Sequence, residues 1–158
     1  MVKKAIYSGT FDPITNGHID IIKRALNVFD EVIIGVASSN TKKPMFTLEQ
    51  RVQLIKSATK DLKGVEVKPF DTLLVEFAKQ NNVSSIVRGL RAVSDFEYEL
   101  QMGYANNSLD DSIDTMYFMP SLQNAFVSSS IVRELIRFNG NYNHLIPTNI
   151  IKEIKQCI

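Results

Sequence analysis

The chain has 158 residues, 44% of them hydrophobic and 22% charged, which is typical of a globular protein with a sizeable core. The formal charge of +1 gives no support to nucleic-acid binding. A single cysteine, Cys157, excludes an internal disulfide, and the sequence shows neither a signal-peptide pattern nor an apolar run of membrane-spanning length. These features predict a cytoplasmic protein without nucleic-acid or membrane partners.

Short β-branched runs alternate with longer amphipathic segments along the chain. The strand candidates are residues 2–7, 31–38, 65–70, 84–88 and 113–119. The helix candidates lie near residues 17–29, 47–61, 73–81, 94–108, 129–138 and 147–156. This alternation predicts an α/β fold in which a Rossmann-like open parallel sheet carries helices on both faces. Because no repeat or linker composition interrupts it, residues 1–158 are expected to form a single domain.

The first helix follows a polar loop with unusual residues. Gly9 permits a sharp turn, Thr10 offers a hydroxyl, and His18 falls in the first helical turn. The free amides at a helix start form an anion site. A first-turn side chain leans back toward the amino terminus of its helix, so His18 is predicted to overhang the strand ends. An ordinary core histidine is the alternative interpretation.

Later helix ends also carry sequence signals. Thr47 and Ser94 are each followed three residues later by Gln or Glu, which predicts two capping boxes. Gly140 predicts the end of the helix that begins near residue 129. The helix at 94–108 has two apolar stripes on opposite sides. One stripe is expected to pack on the sheet and the other to contact a ligand or a second subunit.

Several loops that follow strands carry cations or hydroxyls. Parallel strands end at one edge of the sheet, where ligands bind. Lys42 follows the second strand, Arg88 and Arg91 flank Gly89 after the fourth, and three serines at 128–130 open a helix. Lysine and arginine suit phosphate oxygens, and one serine would be enough for capping. Each signal alone fits a surface charge or a cap, but together they predict a polyphosphate site.

Motifs of other nucleotide chemistries are missing from the sequence. Neither the G-x-x-x-x-G-K-S/T loop nor the G-x-G-x-x-G fingerprint occurs, which disfavours P-loop phosphotransfer and dinucleotide redox chemistry. No histidine and cysteine cluster has metal-ligand spacing, and no convincing Ser/His/Asp set is present. The sequence therefore predicts no resident metal site.

Two motifs resemble those of the nucleotidylyltransferase superfamily. TNGH at residues 15–18 resembles its His/Thr-x-Gly-His signature, and VSSS at residues 127–130 with Arg133 resembles its serine-rich motif. The longer strings GTFDPITNGH, KKPMF, RGLRAVSDFEYE and SSSIVRE resemble the bacterial phosphopantetheine adenylyltransferase family almost end to end. Ser8 and Asn124 differ from that family, which commonly has a proline and an aromatic residue at these positions.

The resemblance implies transfer of AMP from ATP to 4′-phosphopantetheine, giving dephospho-coenzyme A and pyrophosphate, the penultimate step of coenzyme A synthesis. It also implies Mg²⁺ bound with ATP, a homohexamer, and catalytic roles for His18, Lys42 and Arg91. The residues implied to face ATP are Thr10, Phe11, His18, Gly89, Leu90, Arg91, Glu99, Asn124, Ala125, Phe126, Val127, Ser128, Ser129 and Ser130. Those implied to contact phosphopantetheine are Thr10, Lys42, Leu74 and Arg88.

The implied chemistry agrees with the residues present. The acceptor phosphate is already an anionic nucleophile, so the reaction needs no general base. It depends on positioning and on stabilising the charge that develops during transfer. His18 is therefore expected to bind the α-phosphate of ATP.

Three other functions stay open on the sequence alone. A nucleotidylyltransferase for nicotinamide mononucleotide, glycerol phosphate or phosphocholine would share the short motif but would not be expected to carry RGLRAVSDFEYE. A fragment of a class I tRNA synthetase shares the short motif too, although the length leaves no room for an anticodon-binding domain. A non-catalytic nucleotide sensor would not need His18, Lys42 and Arg91 together.

Overall fold

Five strands and six helices follow one another along the part of the chain that the structure describes. The computed structural model describes residues 1–38 and 43–158. The strands are β1 (Lys4–Gly9), β2 (Glu31–Ala37), β3 (Val65–Phe70), β4 (Ser85–Gly89) and β5 (Asp114–Phe118). The helices are α1 (Asn16–Leu26), α2 (Leu48–Thr59), α3 (Leu74–Gln80), α4 (Val93–Leu109), α5 (Ser129–Arg137) and α6 (Ile151–Cys157). Short 3-10 turns occupy Leu122–Asn124, Asn143–Leu145 and Thr148–Ile150.

The strands form one parallel sheet in the order β3-β2-β1-β4-β5. The chain moves outward from β1 to β3 and then crosses back to β4 on the other side of β1. The strand order therefore reverses between β1 and β4. This arrangement confirms the predicted α/β class and the Rossmann-like open parallel sheet.

Successive strand residues face two hydrophobic clusters on opposite sides of the sheet. Tyr7 and Ile34 belong to the larger cluster, which includes side chains of α1, α2, α5 and α6. Their neighbours Ile6 and Ile33 belong to the smaller cluster, which α3 covers. Strands buried on both faces have continuous apolar sequences, which is why β2 was recognisable from its composition.

One glycine allows α3 to pack close to the sheet. Gly35 of β2 lies beside the rings of Phe70 and Phe77, which stack with centroids 4.5 Å apart. A Cβ on Gly35 would come within 2.9 Å of a Phe77 ring carbon. Any side chain at this position would therefore push the stacked rings away from the strand.

One of the two predicted capping boxes is present. The Thr47 hydroxyl accepts the Gln50 amide at 3.2 Å, and the Gln50 side chain accepts the Thr47 amide at 2.9 Å. The predicted box at Ser94 is wrong. Ala92 already has the extended backbone that precedes a helix, so Val93 begins α4 and Ser94 lies inside its first turn.

The end of α5 differs by one residue from its prediction. Asn139, with φ of 55°, takes the left-handed conformation that was expected of Gly140. The Gly140 amide then donates to the Leu135 carbonyl at 2.7 Å, as in a Schellman motif. Asparagine is among the few residues that tolerate this conformation without glycine's freedom.

The helix α4 is exposed over most of its length. Only Glu99 and Asn106 are buried in it, whereas Tyr98 and Tyr104 are 62% and 69% exposed. The prediction that one of its apolar stripes packs on the sheet holds only in part for the single chain, because Gly103 lies against Tyr117 of β5 but Tyr104 of the same stripe is exposed. The longest described helix, α4, has 17 residues. No helix among residues 1–38 and 43–158 is long and apolar enough to cross a bilayer.

Candidate active site

A crevice opens between β1 and β4 at the carboxyl edge of the sheet. β1 pairs with β2 along its whole length, whereas it pairs with β4 only at Ile6 and Tyr7. Beyond these residues the strands separate and border a cavity of about 250 Å³, the first cavity. Ligands of open α/β sheets bind at such a reversal of strand order. Its polar lining residues are Ser8, Thr10, Asp12, Thr15, His18, Arg88, Arg91, Asp95, Glu99, Ser129 and Arg133.

A second cavity of about 260 Å³ adjoins the first. Its apolar part includes Phe70, Leu74 and Met102. The two cavities share five lining residues, which are Ser8, Gly9, Thr10, Arg88 and Glu99. A polar wall therefore lies between a mainly charged space and a more apolar one.

The start of α1 fixes the orientation of His18. The Thr15 hydroxyl accepts the His18 amide at 3.4 Å, and Nδ1 of His18 accepts the Thr15 amide at 3.0 Å. This reciprocal pair is a capping box with histidine in the place of Glu or Gln. Because Nδ1 is an acceptor, the proton of the neutral ring lies on Nε2, on the opposite side of the ring. The ring thus presents an N–H donor away from the cap.

The surroundings of His18 keep its ring neutral. The Phe11 ring meets it edge-on with centroids 4.9 Å apart, and the Tyr7 ring lies 6.3 Å away. Burial lowers the pKa of His18 to about 3, and the positive charges of Arg91 and Arg88 contribute to that shift. Near pH 7 the imidazole is therefore a neutral hydrogen-bond donor and not a proton-carrying acid.

Arg88 forms the wall between the two cavities together with Glu99. Its Nε and Nη2 donate to the two carboxylate oxygens of Glu99 at 2.7 and 2.6 Å. Its Nη1 donates at 2.6 Å to the Ser8 carbonyl, which lies beyond the β1–β4 ladder. A bidentate ion pair of this kind is geometrically specific, so the Arg88 side chain is held in one position.

Two further arginines of the first cavity also face carboxylates. Arg91 donates to the Val127 carbonyl at 3.2 Å and lies 3.6 Å from Asp95. Arg133 donates to the Asp12 carbonyl at 2.8 Å and lies 3.7 Å from its carboxylate. Among the described lining residues, three arginines are thus matched by three carboxylates. A polyphosphate would bind best here if it brought a cation with it.

The serines at the start of α5 all have partners within the chain. Ser128 caps the helix by accepting an amide of the first turn at 3.2 Å. Ser129 donates to the Pro13 carbonyl at 2.7 Å, and Ser130 accepts from Arg133 at 3.2 Å. The Ser129 hydroxyl therefore ties α5 to the loop after β1, whereas those of Ser128 and Ser130 have partners within α5. The first amides of a helix have no acceptor within it, so they are the donors that α5 offers to an anion.

The structure groups most of the predicted site residues in the two cavities. The predicted ATP residues that line the first cavity are Thr10, Phe11, His18, Gly89, Arg91, Glu99, Val127 and Ser129. Those outside its lining are Leu90, Asn124, Ala125, Phe126, Ser128 and Ser130. The predicted phosphopantetheine residues Thr10, Leu74 and Arg88 all line the second cavity. Lys42 lies outside the described residues.

Sequence reasoning missed two buried charged residues beside the site. Sequence reasoning gave Asp12 no role in the site, yet its carboxylate accepts the amides of Met45 and Phe46 at 2.8 and 2.9 Å. Arg51 is buried on α2 and was not singled out. A signal was available, because Arg51 lies on the same stripe as the core residue Leu54, where a charged side chain is unusual.

Comparisons with known proteins agree with this geometry. The family model described as cytidylyltransferase-like matches residues 6–135, which include the sheet except the first two residues of β1, and most of α5. A phosphopantetheine adenylyltransferase of Nautilia profundicola is 60% identical over 154 residues, which are 98% of this chain and all of that protein. A protein of the same name from Helicobacter hepaticus is 59% identical over 92% of this chain and 88% of its own length. Another from Campylobacter fetus is 59% identical over 98% of this chain and 98% of its own length.

The fold and the site together define a nucleotidyltransferase. Its crevice at the reversal of strand order, its capped histidine and nearly all of its parallel sheet lie within the region that the family model matches. The chain belongs to the phosphopantetheine adenylyltransferase family.

Proposed function

We propose that the chain transfers AMP from ATP to 4′-phosphopantetheine, giving dephospho-coenzyme A and pyrophosphate, and that the reaction takes place where its two cavities meet. One observation carries the location. The first cavity, which is rich in arginines, and the second, which is more apolar, share Thr10 and Arg88. A nucleotide in the first and an acceptor in the second would bring the α-phosphate and the attacking phosphate together at that wall.

His18 is the central donor in this proposal. Its neutral Nε2–H is fixed by the capping box and needs no reorganisation when charge develops on the α-phosphate. Arg91 and Lys42 are the cations assigned to the phosphates, and the attacking phosphate needs no general base. Thr10 positions both reactants because it lines both cavities.

The other assigned contacts divide between the cavities. On the ATP side, Phe11, Gly89, Leu90, Glu99 and residues 124–130 bind the nucleotide, with the amides at the start of α5 facing its phosphates. On the acceptor side, Leu74 contacts the pantetheine arm and Arg88 contacts its phosphate. Because Arg88 already binds Glu99 and Ser8, it offers the acceptor its remaining N–H groups.

Magnesium accompanies the nucleotide in this proposal. Among residues 1–38 and 43–158, no three acidic, histidine or cysteine side chains cluster as a resident metal site requires. Mg²⁺ usually stays on substrate phosphates with one or two protein carboxylates, and Asp95 is the cavity carboxylate with only a long ion pair of 3.6 Å. The ion would neutralise charge on the triphosphate, which fits a cavity whose arginines already face carboxylates.

The chain acts as a homohexamer in the cytoplasm, with residues 1–158 as one domain and without nucleic-acid or membrane partners. The exposed apolar residues of α4 support assembly, since Tyr98, Met102 and Tyr104 are 41% to 69% exposed. A helix that is apolar on two sides normally has both sides covered.

Pyrophosphate release tests the reaction. The full chain is incubated with MgATP and either phosphopantetheine or pantetheine, which lacks the attacking phosphate. Release with the first compound alone is expected. Nicotinamide mononucleotide, glycerol phosphate and phosphocholine serve as competing acceptors, and preferred turnover of any of them would assign a different substrate. ATP binding without any release would indicate a nucleotide sensor.

A further inference from the structure

Arg51 of α2 is a charged side chain in the interior of the protein, with an exposed fraction of only 1%. Its Nη1 donates to the Thr10 carbonyl at 2.7 Å and to the Ala37 carbonyl at 2.9 Å. Its Nε donates to the Phe46 carbonyl at 3.2 Å. Removing a guanidinium from water is costly, so a buried arginine is kept only where several acceptors compensate it.

The three carbonyls belong to different parts of the candidate site. Thr10 directly follows β1, Ala37 is the last residue of β2, and Phe46 lies just before α2. One guanidinium nitrogen therefore joins the ends of two neighbouring strands. Ala37 and Phe46 also bracket the segment that contains Lys42.

Asp12 joins the same loop to the residues before α2, but as an acceptor and not as a donor. It is 4% exposed, and it accepts amides of Met45 and Phe46 while its carbonyl accepts from Arg133. The loop after β1 is thus held in two ways. Arg51 and Arg133 donate to the carbonyls of Thr10 and Asp12, and the Asp12 carboxylate accepts the two amides before α2. A buried polar network in which each group has a partner is rigid and has one geometry.

We propose that Arg51 is a positioning residue for the transfer reaction. It fixes Thr10 at the junction of the two cavities, and it keeps the distance between the ends of β1 and β2 constant. This inference rests on the proposed function. Arg51 lines neither cavity and acts only through the backbone it holds. A displacement of about 1 Å between reacting groups lowers turnover by about 100-fold, so turnover is the quantity on which Arg51 acts.

The experiment compares Arg51→Met, Arg51→Lys and Leu54→Ala with the unmodified chain. Methionine keeps the length but donates no hydrogen bond, and lysine keeps the charge and a donor without the planar fork. Leu54 lies on the same helix, is 1% exposed and is absent from both cavity linings, so it is the matched core control. Turnover at saturating substrates is measured per folded molecule, with melting curves and calorimetric ATP binding on the same samples.

Arg51→Met is expected to lose about 100-fold in turnover with nearly unchanged ATP affinity, and Arg51→Lys to recover part of that loss. Leu54→Ala should melt at a lower temperature but keep the turnover of the unmodified chain. Unchanged turnover in folded Arg51→Met, or an equal loss in Leu54→Ala, would overturn the inference. If Arg51→Met does not fold, Arg51→Lys is the test. Turnover of Arg51→Lys equal to that of the unmodified chain would also overturn the inference. Failure of the unmodified chain to release pyrophosphate would instead refute the proposed function.

Discussion

Replacing His18 tests two roles that would use different ring nitrogens, one observed in the capping box and one proposed in the reaction. Nδ1 accepts the Thr15 amide as part of the capping box, and Nε2–H is the proposed donor to the α-phosphate. His18→Ala removes both. His18→Gln keeps the cap, since glutamine is a usual partner at this position of a capping box, but it does not reproduce the place of the imidazole N–H.

The expected magnitudes differ between the two roles. Loss of one preorganised donor to a transition state lowers turnover by about 100- to 1000-fold, equivalent to about 2.7–4 kcal/mol. Loss of a helix cap lowers the free energy of unfolding by about 0.5–2 kcal/mol. Both variants should therefore lose turnover with small changes in either Michaelis constant. Only His18→Ala should also lose stability.

The assay combines steady-state pyrophosphate release with urea unfolding of the same preparations. Pyrophosphate release gives turnover and both Michaelis constants, and unfolding gives the fraction of folded protein. Turnover is then expressed per folded molecule. The Thr15→Ala variant is a useful control, because it removes the other half of the capping box while leaving the imidazole in place.

The assignment would be refuted if His18→Gln turned over at the rate of the unmodified chain. It would also be refuted if His18→Ala lost only stability, because a structural core histidine predicts that result. A loss confined to the Michaelis constant for ATP would show that His18 binds the ground state and the transition state equally.

Four further predictions follow from the packing and the charges. The free energy of unfolding should fall from pH 6.5 toward pH 3, by up to about 1.4 kcal/mol per pH unit, because the unfolded chain protonates His18 before the folded chain does; urea unfolding of His18→Gln should lack this contribution. Gly35→Ala should lower stability by about 1–3 kcal/mol in urea unfolding, because its methyl meets Phe77. Arg88→Ala should cost about 3–5 kcal/mol by leaving the buried Glu99 unpaired, and kinetics should show a larger rise in the Michaelis constant for phosphopantetheine than for ATP. Light scattering at micromolar concentration should give the mass of a homohexamer, and a monomer would contradict that assembly.

The fold was predictable because its inner strands β1, β2 and β4 are largely buried. Continuous apolar runs such as β2 differ clearly from the amphipathic helices that follow them. Helix ends were less predictable where backbone conformation decided them. Ser94 matched a capping box but lies two residues after the N-cap of α4, and Asn139 took the conformation expected of Gly140.

The candidate site was predictable as a collection of residues but not as a set of contacts. The sequence indicates that arginines and serines gather at one edge of the sheet. It does not show that Arg88 binds Glu99 or that Ser129 binds the Pro13 carbonyl, because each pair joins residues of different structural elements. Buried polar networks depend on three-dimensional complementarity, which no local pattern encodes.

The short ladder between β1 and β4 has a mechanical consequence. Strands β3, β2 and β1 are joined by ladders of six paired positions and β4 and β5 by five, whereas only two paired positions connect these halves. The contact of Arg88 with the Ser8 carbonyl is one of the few further bonds across this boundary. Rotation of one half against the other is therefore opposed by fewer ladder positions than rotation at any other strand boundary of the described sheet, and it would change the width of the crevice. Reactants that contact both halves would resist that rotation, so the protein would be stiffest when both cavities are filled.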